Sequence, residues 1–472
     1  MNFSKIEADI RTRMAADGAP PLVISAFLRN LQRWNAGDLG VIPGASLAPL
    51  GPLRRLEELD ELSPAAESAI GRTVILKLNG GLGTSMGLEQ AKSLIIAKNG
   101  LSFLDIIVRQ VEFLRRRCRA PLPLLLMDSF STQADALAAL TRIHPDFSNA
   151  ADLPLSFRQH RVPKLEQATH APVAWPENPA LEWCPPGHAD IYHALQTTGL
   201  LNRLLAAGFR YAFVSNADNL GALLHMGILG HVAANEIPFL MEVTARTDCD
   251  RKGGHLARDQ ATGRLLLRES AQCPPGESAD FQDIAKYSLF NTNNLWLDLA
   301  ALNGLLQASG GLPELPLIVN RKTVDPVRAD SPAVVQLEAA MGSAISCFAN
   351  AAALVVPRSR FAPVKTTNDL LAIRSDLYTF GEEHQVALHP LRFSPPPEII
   401  LDPRYYRNIA DFERRFARGA PSLLQCDALK IEGDIHFGHN VRIEGAVHLR
   451  NPTERPAHLA DGARIHTPAA AF

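Results

Sequence analysis

The chain predicts an α/β fold, a parallel-sheet domain followed by a short parallel β-helix, and two periodicities carry that prediction. Between about residues 67 and 390, short apolar runs alternate with glycine loops and helical stretches, the order of a parallel sheet with crossover helices. After residue 395 the apolar positions recur every six residues, the mark of stacked β-helix coils. With 472 residues and 46% hydrophobic content, there is room for two or three domains with ample cores. We divide the chain into an N-terminal helical segment (1–66), a central domain (67–394) and a C-terminal part (395–472) made of a linker helix and the β-helix.

Taken in order, Ile6, Ile10 and Met14 fall at helical spacing, and a stretch containing Pro and Gly follows at 41–52. Strands are expected at 74–78, 123–127, 211–215 and 239–243, with an amphipathic helix at 103–114. The basic end of that helix, Arg115-Arg116-Arg117, is expected to be a solvated C-terminus complementing the helix dipole. Pro395-Pro396-Pro397 and a helix at 409–416 lead into the repeat. There the pairs Leu429/Ile431, Ile435/Phe437, Val441/Ile443 and Val447/Leu449 are in phase, and Leu459 and Ile465 rejoin after a break near 453–456. So few coils cannot bury a core alone, so they must lean on the central domain or on another subunit.

Composition excludes several roles. A net charge of −2 gives no electrostatic case for nucleic acid or an anionic membrane as partner. Cysteines 118, 184, 249, 273, 347 and 426 form no C-x-x-C pair and read as reduced, mostly buried thiols of a cytoplasmic protein. The N-terminus lacks the apolar core of a signal peptide, and no apolar run approaches the ~20 residues of a membrane span.

The densest chemical signal is Leu78-Asn79-Gly80-Gly81-Leu82-Gly83-Thr84-Ser85-Met86-Gly87-Leu88-Glu89-Gln90-Ala91-Lys92-Ser93, directly behind the first strand. Where side chains are missing, a polyanion can approach the main chain, and Lys92 adds a positive charge. The loop is not a Walker A motif, because four residues separate Gly87 from Lys92. It is not a dinucleotide fingerprint either, because Gly81 and Gly83 are followed by Gly87 instead of a glycine at 86.

Further along, Pro185-Pro186-Gly187-His188 is a stiff loop with one imidazole, and Asn216-Ala217-Asp218-Asn219 places an acid just past a strand's carboxyl end. Ligands of open α/β sheets bind there, and a lone carboxylate suits Mg²⁺, although Asp218 would serve equally as a helix cap. Glu242 ends another strand, with Lys252-Gly253-Gly254 after it. In Phe290-Asn291-Thr292-Asn293-Asn294-Leu295-Trp296 three amides could bond sugar hydroxyls or satisfy a buried turn. Lys365 sits just ahead of a helix start.

Together these segments resemble the UTP–glucose-1-phosphate uridylyltransferases of the eukaryotic type, in order from about residue 70 to 450. The matching stretches are 77–87, 185–188, 218–221, 290–296 and 357–361 with Val364-Lys365-Thr366-Thr367. Related UDP-N-acetylhexosamine enzymes usually carry Arg-Leu where this chain has Ser85-Met86, which favours the glucose branch. The resemblance implies a Rossmann-like nucleotidyltransferase core with a mixed, mainly parallel sheet as catalytic domain, and a C-terminal left-handed β-helix through which homo-oligomers can form. It implies that Leu78, Asn79, Gly80 and Gly81 line UTP, that Gln159 and Gly187 read uracil, and that Asn216 and Asp218 face nucleotide and metal, with Asp218 the Mg²⁺ ligand. Lys92 and Lys365 would be the catalytic lysines, His188 a sugar-phosphate contact, and Asn293, Glu242 and Gly254 the glucose side.

The implied reaction forms UDP-glucose and pyrophosphate from UTP and glucose 1-phosphate, reversibly. The attacking phosphate oxygen is already anionic, so no general base is required, and catalysis is positioning and charge neutralisation. The residues leave open galactose or N-acetylhexosamine 1-phosphate as the sugar substrate, and a UTP-binding sensor without turnover.

Overall fold

The computed structural model describes the chain except residues 1–2, 61–62, 89, 248–249, 329, 467–469 and 472. Glu89 of the glycine loop and Cys249 therefore lie outside the described residues. The architecture is mixed α/β, and the expected strands form, most with slightly wider bounds: Thr73–Asn79, Leu124–Asp128, Tyr211–Asn216 and Phe239–Ala245. Ser156–Arg158, Leu124–Asp128, Thr73–Asn79 and Tyr211–Asn216 lie side by side and parallel, and this is the half that carries the site. The ten-residue strand Leu289–Asp298 runs antiparallel to Tyr211–Asn216 and to Phe239–Ala245, which makes the sheet mixed.

Strand alternation explains the two cores. In Thr73–Asn79, Ile75 joins Phe103, Ile107, Leu126 and Ile228 on one face, while Val74 and Leu76 join Leu125, Ile191, Leu195 and Val214 on the other. Helices therefore cover both faces, including Phe103–Cys118 and Met226–Ala234 on the first and Asp190–Thr197 on the second. Helix Phe103–Cys118 starts at a Ser102/Asp105 capping box. Arg116 and Arg117 at its basic end are exposed, as expected of a solvated terminus, but Arg115 departs from that expectation. Arg115 donates to the carbonyls of Leu122 and Ser148 and to Asn149 Oδ1, and stacks over Phe147, so it staples the helix to the next loop.

The N-terminal helices Phe3–Ala16 and Pro21–Asn35 bury Ile6, Ile10 and Met14 against Val162, Leu317 and Leu337 of the central region. Among described residues, no helix is long and apolar enough to cross a membrane. Of the described cysteines, Cys184 and Cys426 are buried while Cys118, Cys273 and Cys347 are partly exposed, so burial is less general than expected.

The six-residue period becomes parallel stacking. Leu429 lies beside Val447 and Ile431 beside Leu449, eighteen residues on, or three six-residue edges per coil. Ile443 pairs with Ile465, four residues beyond that spacing, because the break at 453–456 is looped out. The stack begins earlier than the period showed: Glu398–Leu401, ahead of helix Ile409–Arg415, already pairs with Ser422–Glu432. The coil interior is continuous with the central domain's core through Tyr406, Phe412 and Phe416, so the repeat leans on the central domain of its own chain.

Candidate functional site

Parallel strands Thr73–Asn79 and Tyr211–Asn216 end together, with Leu78 opposite Asn216, so the glycine loop and the Asp218 loop leave the sheet at one edge. The glycine loop then folds back. Leu82 bridges Ala91, and the Lys92 N–H donates to the Gly81 carbonyl at 3.1 Å. This fold-back returns Lys92 to the strand end. There Lys92 Nζ meets Asp218 Oδ2 at 2.6 Å, and both side chains are largely shielded from solvent. The second oxygen, Asp218 Oδ1, is buried without a hydrogen-bond partner.

That orphan oxygen fits a cation. Among described residues no group of three or more His, Cys, Asp or Glu could hold a metal, and Asp218 is a lone carboxylate with one oxygen free of protein partners. This donor set is the one Mg²⁺ commonly uses at nucleotide sites.

Gly80, Gln159 and Gly187 converge beside it. The Gln159 N–H donates to the Asp128 carbonyl, its Nε2 donates to the Gly187 carbonyl at 2.9 Å, and a Cβ on Gly80 would stand 2.9 Å from Gln159 Oε1. Gly187 has φ +84°, and a Cβ there would lie 2.4 Å from the Ala339 carbonyl oxygen, so only glycine fits. Asn79 Nδ2 donates to Asp128 Oδ1 at 2.6 Å. His188 Nδ1 accepts the Met341 N–H at 2.8 Å, and burial lowers its pKa to about 4. The ring is therefore neutral, with Nε2 carrying the proton.

Lys365 reaches the same edge by main-chain pairing. The Val364 N–H donates to the Asp218 carbonyl at 3.1 Å, and a Thr366/Asp369 capping box opens the helix Thr367–Arg374 behind it. Glu269 faces Lys365 electrostatically. Burial raises the Glu269 pKa, and the Lys365 charge opposes that rise. A Cβ on Gly254 would lie 2.5 Å from Glu269 Oε2, so the bare Gly254 makes room for this acid. The Gly254 carbonyl accepts the Asn291 N–H, and the Asn291 and Asn293 amides bond each other, with Asn293 at φ +59° in a bulged stretch.

Glu242 does not belong to this surface, and its expected sugar-binding role is corrected. It is 0% exposed. Its oxygens accept Arg360 Nη2 at 2.6 Å, Arg360 Nε at 2.7 Å, Trp296 Nε1 at 2.9 Å and Asn294 Nδ2 at 3.1 Å. Burial alone would raise its pKa, but the Arg360 charge and these bonds bring it below the ordinary value. Beneath the site, buried Lys77 donates to Ser215 Oγ and to the Ala222 carbonyl, tying both ends of the Asp218 loop to the sheet.

Of the predicted residues, Leu78, Gly81, Lys92, Asn216 and Asp218 gather where the two strands end, Lys365 is tied there through Val364, Gln159 joins Gly80 and Gly187, and Gly254 packs beside Glu269, which interacts with Lys365. Glu269 was missed, although it follows the strand Leu265–Arg268 as Asp218 nearly follows its own, and the same strand-end rule would have found it.

A sequence model of the family described as UTP–glucose-1-phosphate uridylyltransferase matches residues 45–444. The chain is 40% identical over 428 residues to the UTP–glucose-1-phosphate uridylyltransferase of Solanum tuberosum, covering 90% of this chain and 84% of that protein. It is 39% identical over 379 residues to the probable enzyme of that name from Schizosaccharomyces pombe, covering 80% and 73%. Among solved structures, a mutant UDP-glucose pyrophosphorylase from Leishmania major in complex with UDP-glucose superposes with TM-score 0.92 at 42% identity, covering 99% of each chain. A Trypanosoma brucei structure titled UDP-glucose phosphorylase gives 0.91 at 40% identity, covering 99% and 100%.

Proposed function

The chain belongs to the UTP–glucose-1-phosphate uridylyltransferase family, and from that premise we propose that the family reaction takes place at the strand-end site around Lys92, Asp218 and Lys365. The enzyme makes UDP-glucose and pyrophosphate from UTP and glucose 1-phosphate. A phosphate oxygen of glucose 1-phosphate attacks the α-phosphorus of UTP. A new P–O bond forms, the bond from the α-phosphorus to the bridging oxygen breaks, and the β- and γ-phosphates leave as pyrophosphate. No proton has to be removed from the nucleophile.

The observation that carries the assignment is the Lys92–Asp218 contact at 2.6 Å with Asp218 Oδ1 left unpartnered at the end of a glycine loop. Two polyanions must come together there, and Lys92 and Lys365 offset their repulsion as mobile point charges. Leu78 to Gly81 line the nucleotide by main chain, Gln159 and Gly187 read the base, and Asn216 faces the nucleotide. His188, a neutral donor, contacts the sugar phosphate. Asn293 and Glu269 bind the sugar, with Gly254 leaving them space. Mg²⁺, held by Asp218 and the substrate phosphates, would neutralise charge on the transferring group. The eighteen-residue spacing of the C-terminal coils supports a left-handed β-helix.

The test is pyrophosphate release from UTP and Mg²⁺ with glucose, galactose and N-acetylglucosamine 1-phosphates. Fastest release with glucose 1-phosphate is expected. Preference for another sugar corrects the substrate, and no release with any sugar overturns the reading.

A further inference from the structure

Lys365 lies on a stretch without regular structure, between the short helical turn Arg358–Arg360 and the helix Thr367–Arg374. Its position must therefore be set by what the stretch is fastened to. Much of the fastening falls on Asn219, the residue after Asp218, which is only 2% exposed, while Asn294 Nδ2 shares the Arg360 carbonyl at 3.2 Å. Asn219 Oδ1 accepts the Ala362 N–H at 3.0 Å, and its Nδ2 donates to the Arg360 carbonyl at 3.0 Å. One amide thus supplies both a donor and an acceptor to the segment, beside the main-chain bridge between Asn219 and Pro363. The next bond in the series is the Asp218 carbonyl with the Val364 N–H. Arg360 anchors the far end by its bidentate pair with Glu242 and a bond to the Leu223 carbonyl at 2.7 Å.

We propose that Asn219 is a positioning residue for the reaction: its amide locks the Lys365 segment to the Asp218 loop, so the lysine's main chain is held at a fixed place beside the carboxylate. This rests on the reading of Lys365 as a catalytic lysine. Asparagine suits the task because it is short and offers a donor and an acceptor at once; Ala offers neither and Ser only one reach-limited hydroxyl. Displacing a charged group by about 1 Å is enough to cost on the order of 10²-fold in rate. Gln159 and Gly187, which read the base, are fastened elsewhere, so UTP binding should be spared.

The experiment is a double-mutant cycle in kcat with Asn219→Ala, Lys365→Ala and the pair, together with the KM for UTP and the melting temperature of each. Asn219→Ala should lower kcat by about 10²-fold with the KM for UTP changed by less than about threefold. In the Lys365→Ala background the same substitution should have almost no further effect, because the group it positions is gone. Full multiplication of the two losses overturns the positioning role while leaving Lys365 catalytic. Near-parental kcat of Lys365→Ala on its own overturns the catalytic reading and the proposal with it. If Asn219→Ala does not fold, Asn219→Ser takes its place in the cycle, with a smaller kcat loss expected and the same two criteria.

Discussion

The strand-end site and the C-terminal coils are built on opposite rules. The coils repeat one interaction: Leu429, Ile431, Ile443, Val447 and Leu449 stack on equivalent residues in the adjacent coil, and each is nearly free of solvent. The site repeats nothing. It joins a lysine and an aspartate 126 residues apart, a glycine at φ +84° and a glutamine 28 residues away from it, over a fully buried ion pair whose partners are 118 residues apart. Burial of apolar area is additive and tolerant, whereas a buried charge network depends on every member being present. The two regions should therefore fail differently.

The largest effect is expected beneath the site. Glu242→Ala leaves Arg360 buried without its counter-ion and should destabilise the fold by about 3–5 kcal/mol, read from chemical denaturation. A loss below about 1 kcal/mol would mean that the polar floor is no more demanding than the coils. Next, Gly187→Ala places a Cβ against the Ala339 carbonyl in a left-handed conformation costing roughly 1–2 kcal/mol before any clash, so the KM for UTP should rise by about tenfold or more. In the coils, Ile443→Val should cost only about 0.5–1.5 kcal/mol and leave kcat unchanged, as a local cavity in a repeated ladder does. A fall in kcat there would break the contrast.

The smallest effect, absent at pH 7, concerns His188. Its pKa is lowered from the ordinary 6.5 to about 4 by burial, so below pH 6.5 the unfolded chain takes up a proton that the folded chain refuses. Folding stability should fall as pH drops from 6.5 toward 4, and His188→Asn should flatten that slope. An unchanged slope contradicts a buried neutral imidazole.

The same contrast decides what could be read from sequence. Period is local, so Ile6, Ile10 and Met14, the strands Thr73–Asn79, Leu124–Asp128, Tyr211–Asn216 and Phe239–Ala245 and the coil residues were visible, while the eighteen-residue coil shows only in the strand pairing. Glu398–Leu401 was not, because one short strand separated from its partner by two helices shows no period. Site residues were visible where a backbone demand marks the sequence, as at Gly80 and Gly187, or where an acid follows a strand, as at Asp218. Glu242, read as the end of a strand, misled, because it lies within Phe239–Ala245 and its partner Arg360 belongs to a distant segment, so nothing near Glu242 announces a buried pair. Arg115 likewise looked solvated because two of its three acceptors, the Ser148 carbonyl and Asn149, lie more than thirty residues on.

The central claim is that the returning glycine loop exists to deliver Lys92 to the reacting phosphates. The most direct test is the turnover of Lys92→Ala in pyrophosphate release from UTP, Mg²⁺ and glucose 1-phosphate, at saturating substrates and with the melting temperature measured alongside. A loss of about 10²–10³-fold in kcat, the range for removing one electrostatic stabiliser, is predicted with the fold intact. Turnover within a few-fold of the parent would contradict the account.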